Sequence, residues 1–443
     1  MAKNKIEIGK IVSQSFPNKS QVQTENSILT AKGGILGQEV EIKKTRRTKA
    51  KILNILKKSE LETIEGCIHS DECGGCTYQT LKYQDELKLK ENLLKDLFAE
   101  NEIEIKDFEI LPSPLVEEYR NKMEYTFSDE YKDGPLSLGL HQKNKFYEVV
   151  NTTHCNIVSK DFNTIRSFTR EYFDGKQKPY NKVRHDGYLR HLLIRRTSTK
   201  EIMVNLVTTF EEVDLKDYFE KLKNLKLEGK IVSILHTKND SLSDAIVPEE
   251  VELIYGRDYI VEEILGLKFK ITSFSFFQTN TKSAEKLYSL AKKTLGDMKE
   301  KIFLDLYSGT GTITQIIGKD SKKALGIEII EEAVKSAREN TQLNNIDNVE
   351  FICGDVFEEV KKLEYKADII VLDPPREGIN PKAIEKIISF NPEKFLYISC
   401  NPQTLARDLK EFISRGYEIK TIKALDQFPR TYHVECVVLL ETI

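Results

Sequence analysis

The sequence predicts an α/β protein: a doubly wound parallel sheet in its C-terminal part, preceded by a mixed α+β central region and an N-terminal β-barrel of the OB type. Three observations carry this expectation. Beyond residue 300, short apolar runs alternate with glycine or polar turns and helical stretches, the order of a parallel sheet with crossover helices. Three of these runs end in polar clusters. Ile302-Phe303-Leu304-Asp305-Leu306 opens into Ser308-Gly309-Thr310-Gly311-Thr312, Ile369-Ile370-Val371-Leu372 runs into Asp373-Pro374-Pro375-Arg376, and Leu396-Tyr397-Ile398-Ser399 runs into Cys400-Asn401-Pro402. An open α/β sheet lines up its active site in this way, at the carboxyl edge. Residues 5–58, in contrast, read as short alternating strands with turns, which suits a small barrel.

A chain of 443 residues implies two or three domains, and 40% hydrophobic residues suffice for sizeable cores. There is no run of 18 or more apolar residues, which excludes a membrane-spanning helix. Met1-Ala2-Lys3-Asn4-Lys5 has no apolar signal core, so a cytoplasmic location without a membrane partner is expected. Seven cysteines, an odd number, do not describe a secreted disulfide scaffold. The net charge of −3 hides an asymmetry. Residues 1–58 hold 13 Lys+Arg against 4 Asp+Glu, a local +9, and the remainder carries −12. A small basic module on an acidic body points to a polyanion such as nucleic acid.

In chain order, Lys5–Val12, Gln38–Lys44 and Lys49–Ile55 alternate as strands, with a turn cluster at Ala31–Gly37. Residues 66–80 hold a cysteine cluster. Residues 81–100 form a charged amphipathic helix with Leu87, Leu93, Leu94, Leu97 and Phe98 at roughly helical spacing. Residues 110–270 are mainly strand-like, with a helix near Leu215–Leu225, and Lys282–Leu295 is helical. Strands are then expected at 302–306, 324–328, 349–353, 368–372, 394–399, 417–422 and 434–440, with helices including 331–343 and 403–414. The domain division that follows is 1–58, 59–270 and 271–443, with helix 81–100 able to pack on the last of these.

The stretch Asp305 to Thr312 follows a strand and precedes a helix. Its glycines let the backbone approach a ligand closely, without the full G-x-G-x-x-G pattern or a Walker lysine. Glu328 ends the next strand, where a carboxylate accepts hydrogen bonds from a ribose diol. Asp355 follows the third strand, placed to meet an adenine amino group. Nicotinamide and S-adenosylmethionine cofactors are both open at this level.

Cys67, Cys73 and Cys76 have the spacing C-x5-C-x2-C around Gly74-Gly75, and Cys155 lies in Thr153-His154-Cys155-Asn156. Three close cysteines and a distant fourth suit a four-thiolate metal site. C-x2-C fits zinc, while the Gly-Gly loop and distant ligand also suit a cubane iron–sulfur cluster. Cys353 and Cys436 sit in strand-like runs and read as buried small hydrophobes. Cys400 reads as a nucleophile, provided that a polar pocket or a cation lowers its pKa. If strands 394–399 and 434–440 are neighbours, Glu435 faces the same cavity as a general base.

Taken in order, these motifs resemble the RNA (uracil-C5-)-methyltransferases, which use S-adenosylmethionine. The resemblance covers nearly the whole chain. It includes the basic barrel, of the TRAM type in that family, the C-x5-C-G-G-C and distant cysteine, and Tyr119-Arg120-Asn121-Lys122. It continues through Leu189-Arg190-His191-Leu192, Phe276-Phe277-Gln278-Thr279-Asn280, Asp305–Gly311, Asp373–Gly378, Ser399–Pro402 and His433-Val434-Glu435. The resemblance implies a class I, Rossmann-like methyltransferase sheet, with Cys400 as nucleophile and Glu435 as the base that removes the C5 proton. It places Gln278, Tyr307, Glu328 and Asp373 against S-adenosylmethionine, with the Gly309 loop holding it. Cys67, Cys73, Cys76 and Cys155 match the ligands of the family's [4Fe-4S] cluster. The barrel and cluster together resemble the branch acting on 23S rRNA, with tRNA as the alternative substrate, and a monomer is the expected state. Arg120, Lys122, Arg190, Arg195 and Arg196 are candidate phosphate contacts. Two other classes stay open: an amine or base-nitrogen methyltransferase, which leaves Cys400 idle, and a non-catalytic RNA-binding iron–sulfur protein.

Overall fold

Alternation of apolar and polar residues suits a closed sheet, since each strand must turn one face inward. In the computed structural model, which describes residues 5–106, 108–145 and 147–443, five N-terminal strands close into a barrel. They are β1 (Ile6–Ser15), β2 (Lys19–Gln23), β3 (Ile28–Lys32), β4 (Glu39–Arg46) and β5 (Lys49–Lys57), in the order β1-β2-β3-β5-β4. Ile11, Val22, Leu29, Ala31, Val40 and Ile42 fill the barrel, and the basic residues lie on its outside.

Helix α1 (Tyr83–Glu100) follows the cysteine loop. Its apolar stripe, Leu93, Leu94, Leu97 and Phe98, is buried in the same core as Leu409, Phe412 and Tyr417 of the C-terminal region. Phe16, just after β1, joins that core, so the barrel is seated on it as well. Strand β6 (Ile110–Leu111) is short.

The central sheet comprises β7 (Lys122–Asp129), β8 (Leu136–His141), β9 (Val149–Val150), β10 (Leu189–Arg196), β11 (Glu201–Thr208), β12 (Lys230–Lys238) and β13 (Glu250–Gly256), in the order β13-β12-β11-β10-β7-β8-β9. Helices α2 (Lys160–Phe173) and α3 (Lys216–Lys223) contribute Phe162, Ile165, Tyr218 and Leu222 to a core with Tyr125, Leu192 and Val204. The hairpin β14 (Tyr259–Ile264) and β15 (Leu267–Thr272) buries Ile260, Phe269 and Ile271 against α4 (Thr281–Leu295) and the C-terminal sheet.

The C-terminal region runs β16 (Ile302–Asp305), α5 (Thr312–Gly318), β17 (Lys323–Glu328), α6 (Glu331–Leu343), β18 (Val349–Cys353), α7 (Val356–Val360), β19 (Ile369–Leu372), α8 (Pro381–Ser389), β20 (Lys394–Ser399), α9 (Pro402–Ser414), β21 (Tyr417–Leu425) and β22 (Glu435–Thr442). The sheet order is β18-β17-β16-β19-β20-β22-β21-β6. The expected parallel sheet is corrected in its last strand: β22 runs antiparallel to both β20 and β21. Residues 426–434 join β21 to β22, and a connection this short cannot make the helical crossover a parallel partner requires. The chain therefore turns back and inserts β22 between its predecessors. No helix among the described residues is long and apolar enough to cross a membrane.

Candidate active site

The strand order reverses at β16, which has β17 on one side and β19 on the other. Open sheets bind ligands in the crevice at such a point, beyond the carboxyl ends of the strands. The loop after β16 is shaped by Gly309 (φ 51°) and Gly311 (φ 77°), both in the left-handed region. A Cβ at Gly311 would lie 2.5 Å from the Phe351 ring and 2.9 Å from Ala337 Cβ, so the loop packs down only because that position is glycine. Asp305 anchors the loop from beneath, accepting from Thr314 Oγ1 at 2.7 Å and from Tyr307 N at 3.3 Å. Glu328 braces it from the side: one oxygen accepts from Gly309 N at 3.1 Å, the other from Ile330 N at 3.0 Å. Glu328 is thus tied to the loop that carries Tyr307 and Gly309. Asp355 has a local task, capping α7 by accepting from the Phe357 and Glu358 amides through Oδ1.

Gln278 enters from the segment before α4. Its carbonyl accepts from Asn121 Nδ2 at 3.0 Å, and its Oε1 lies 3.4 Å from Gln427 Nε2. Asn280 caps α4 through Ser283 N and donates to the Gln427 carbonyl at 2.8 Å. The Tyr119–Lys122 motif, the Phe276–Asn280 motif and the segment before β22 therefore meet, although 157 positions separate Asn121 from Gln278. Gln427 was not singled out by its sequence context. Phe276, two residues before Gln278, exposes 76% of its surface.

The reversal of β22 builds the other wall. Ser399 pairs with Cys436, so the next step of that register sets Cys400 beside Glu435. Glu435 is 3% exposed, and its carboxyl is pushed far above the usual range by burial and by Asp373, with Arg376 opposing. Asp373, at the end of β19, is raised to about 7 by burial and by Asp305, and Asp305 to about 6 by burial. The hydroxyl of the buried Tyr288 on α4 senses all three carboxyl groups. The Cys400 thiol is pushed up to about 12 by burial, Glu435 and Asp373, while Arg376 lowers it. The thiol is thus raised, not lowered as a nucleophile requires. Burial and crowding raise all three carboxyl groups, and a cation beside them would offset that cost.

The cysteine loop lies against the central sheet, with Gly74 N donating to the His141 carbonyl at 2.9 Å. Each sulfur has N–H donors. Cys67 Sγ accepts from His69 N, Cys73 Sγ from Gly75 N and Cys76 Sγ from Gln79 Nε2, and backbone hydrogen bonds at Ile157 and Val158 favour the Cys155 thiolate. Such donors stabilise sulfur-bound negative charge, and the four thiols are near enough to influence one another's ionisation. Among the described residues, no group of three or more His, Cys, Asp or Glu side chains is arranged as the ligands of one metal ion. The donor chemistry fits a thiolate-ligated cluster; the geometry does not fit a preformed single-ion site. Cys436 is buried as expected, whereas Cys353 is exposed because β18 ends there, at the sheet edge.

Three of the basic residues marked as phosphate contacts are corrected. Arg190 and Arg195, each 3% exposed, hold loops together. Arg190 donates to the Asn239, Ser241 and Ser243 carbonyls at 2.7–2.8 Å, and Arg195 to the Ser273 carbonyl at 3.2 Å. Arg196 is paired with Asp161 at 2.8 Å. Sitting in a central strand, β10, they are turned into the protein rather than to a ligand. Lys122 pairs with the exposed Glu124 at 2.6 Å, and Arg120 is partly exposed near the Gln278 cluster.

This sheet order, its glycine loop and the acidic crevice define an S-adenosylmethionine-dependent methyltransferase. The sequence model of the tRNA (uracil-5-)-methyltransferase family matches residues 82–443, and the chain belongs to that family. It is 46% identical to an uncharacterized RNA methyltransferase of Caldanaerobacter subterraneus subsp. tengcongensis, across 100% of both chains, and 45% identical to one of Clostridium tetani, over 96% of this chain and 94% of the other. Among solved structures it is similar to the Pyrococcus abyssi tRNA (uracil-54, C5)-methyltransferase in complex with S-adenosyl-L-homocysteine. The TM-score is 0.76 at 26% identity, covering 98% of this chain and 100% of that one. The chain is accordingly an S-adenosylmethionine-dependent RNA (uracil-5-)-methyltransferase.

Proposed function

We propose that the enzyme methylates C5 of a uridine in 23S rRNA, with Cys400 as nucleophile and Glu435 as base. The observation that carries this reading is the register that sets the two side by side. Uracil C5 is a poor nucleophile. Addition of the Cys400 thiolate to C6 places electron density on C5 as an enolate. C5 then attacks the methyl of the sulfonium, held by the Gly309 loop, Glu328, Tyr307, Gln278 and Asp373. Glu435 removes the C5 proton, and elimination restores the ring and releases Cys400. The carboxyl groups Asp305, Asp373 and Glu435 favour a sulfonium cation. Its binding lowers the cost of ionising Glu435, so that the base is charged when the methyl donor is in place. The target base must leave its stack to reach this crevice, and the exposed Phe276 beside Gln278 offers a surface on which it can rest.

The barrel at 1–58 supplies a basic RNA-binding module of the OB or TRAM type, the region 59–270 the cysteine site, and 271–443 the catalytic sheet. Cys67, Cys73, Cys76 and Cys155 would hold a [4Fe-4S] cluster, supported by the N–H donors at their sulfurs. When bound, it would cross-link loop 67–76 to the segment before α2 and keep that loop in place. A second substrate, tRNA, is favoured by one observation: the Pyrococcus abyssi protein similar along the whole chain is a tRNA methyltransferase.

The test uses 5-fluorouridine-substituted 23S rRNA and tRNA in separate pools with S-adenosylmethionine. Fluorine cannot leave as a proton, so the Cys400–C6 bond persists on a denaturing gel. An adduct with the ribosomal pool, missing in Cys400→Ala, supports the reading; an adduct with tRNA alone transfers the substrate assignment. No adduct with either, despite cofactor binding, removes thiolate-assisted C5 methylation.

A further inference from the structure

Residues 426–434 form a strap between β21 and β22, closed by the pair Leu425–Glu435. Glu435 is therefore the first residue after the strap, and any shift of the strap acts directly on it. The strap is held from outside the catalytic sheet by groups to which the reaction above assigns no role. Asp426 accepts from Lys90 Nζ at 2.7 Å and from Tyr83 OH at 2.9 Å, both on α1. The Pro429 carbonyl accepts from Tyr119 OH at 2.9 Å.

Arg430 is the hub. Its amide donates to Glu86 Oε1 at 2.7 Å, and its guanidinium donates to the Leu81 carbonyl at 2.7 Å and lies 3.5 Å from Glu86 Oε2. Its carbonyl accepts from Thr77 N at 2.7 Å and Tyr78 N at 3.0 Å, the two residues directly after Cys76. Lys90 completes the cluster, 2.6 Å from Glu86. Arg430 also has φ 68°, a left-handed backbone that a non-glycine residue keeps only where its surroundings over-determine it.

Glu86, Lys90, Asp426 and Arg430 are all buried. Burying four charges is expensive, and an apolar contact of similar volume often stabilises as well. What directed hydrogen bonds add is one defined arrangement. A base needs that, because misplacing a reacting group by about 1 Å can cost roughly 10²-fold in rate.

We propose that Arg430 is a positioning residue for proton removal: with Glu86 it locks the strap to α1 and to the loop that follows Cys76, and so fixes Glu435 against Cys400. This rests on the reading of Glu435 as the base. In its absence C5 still acquires the methyl, but the C5–H bond is not broken and the Cys400–C6 bond cannot be eliminated, so methylated adduct accumulates on ordinary uridine.

The experiment follows full-length enzyme under single-turnover conditions, with methyl-labelled S-adenosylmethionine and a mixture of unmodified 23S rRNA and tRNA transcripts. Label in gel-stable adduct is measured separately from label in free RNA. Arg430→Gln combined with Glu86→Gln removes the pair without leaving an unpaired charge. Arg430→Lys serves should the double variant fail to fold. The expected result is methyl transfer close to wild type, release slowed by roughly tenfold or more as a sub-ångström displacement of the base implies, and adduct accumulating in both variants. Release that keeps pace with transfer, at whatever rate, overturns the proposal. Glu435→Gln is run alongside. If it accumulates adduct and the Arg430 variants do not, only the positioning role fails; if it too shows none, the assignment of Glu435 has failed and the proposal with it.

Discussion

Cys400 and Glu435 occupy neighbouring ends of two antiparallel strands, one step beyond the pair Ser399–Cys436. A buried carboxyl so placed burdens the thiol. Glu435 helps to push Cys400 up to about 12, and burial together with Asp373 keeps Glu435 far above its ordinary range.

Replacing either member should separate the two halves of the reaction. Cys400→Ala should abolish both methyl transfer and adduct formation while S-adenosylmethionine still binds, as read by labelled methyl incorporation and calorimetry. Glu435→Gln keeps the shape of the side chain and removes the base. It should trap methylated adduct and lower multiple-turnover product formation by roughly 10²-fold or more. Normal turnover by Glu435→Gln would move the base elsewhere.

Asp373 sets a pH dependence on stability. An ordinary aspartate ionises near 4 in the unfolded chain, whereas Asp373 in the fold ionises at about 7. Below about 4 both states hold the proton and its contribution is fully present. Between about 4 and 7 the unfolded chain ionises first, so stability falls as pH rises; above about 7 no further change comes from this group. The Tm advantage of ligand-free Asp373→Asn over wild type should therefore grow from pH 4 to pH 7 and then level off, with S-adenosylmethionine affinity reduced. A constant difference in melting temperature across that range would contradict the assignment.

Gly311→Ala should weaken cofactor binding and destabilise the chain by about 1–3 kcal/mol, the scale of a strained left-handed residue. The added methyl meets the Phe351 ring at 2.5 Å. Urea unfolding and cofactor titration read the two effects, and a neutral substitution would mean that the loop is not packed as described.

Phe276→Ala should leave the melting temperature unchanged, because the ring is 76% exposed. RNA affinity should fall by about 1–3 kcal/mol, the scale of one base stacked on an aromatic ring. Filter binding at fixed salt measures it, and unchanged affinity would remove Phe276 from the RNA path.

For the proposed [4Fe-4S] cluster, Cys76→Ser should lose the iron and visible absorbance that the wild-type chain is expected to carry and make loop 67–76 sensitive to protease, with weaker RNA binding. If iron is lost while fold and RNA affinity are retained, the cluster does not hold this loop for RNA.

Local pattern made much of this legible. The strand at 394–399, the helix at 331–343 and the glycine turn after Asp305 follow from alternation, helical spacing and residues that break both. The roles of the arginines did not emerge in the same way. Arg190 and Arg195 look like phosphate ligands in sequence, yet the carbonyls they bind lie about 50 to 80 positions away. The contact of Lys90 with Asp426 spans 336 positions, and no periodicity encodes such a meeting.

The sequence by itself marked the residues to which the proposed chemistry is assigned and the strands that carry them: Cys400 and Glu435 at strand ends, the glycine loop, the four spaced cysteines and the basic barrel strands. These depend on short-range sterics and on side-chain chemistry, which act within a few residues. Only the tertiary structure decided that β22 turns back beside β20 and sets Glu435 against Cys400. It also decided that α1 braces the catalytic sheet and that Asp305, Asp373 and Glu435 crowd until their pKa values rise. Burial and strand pairing between distant segments fix those features, and they arise only when the whole chain has closed around them.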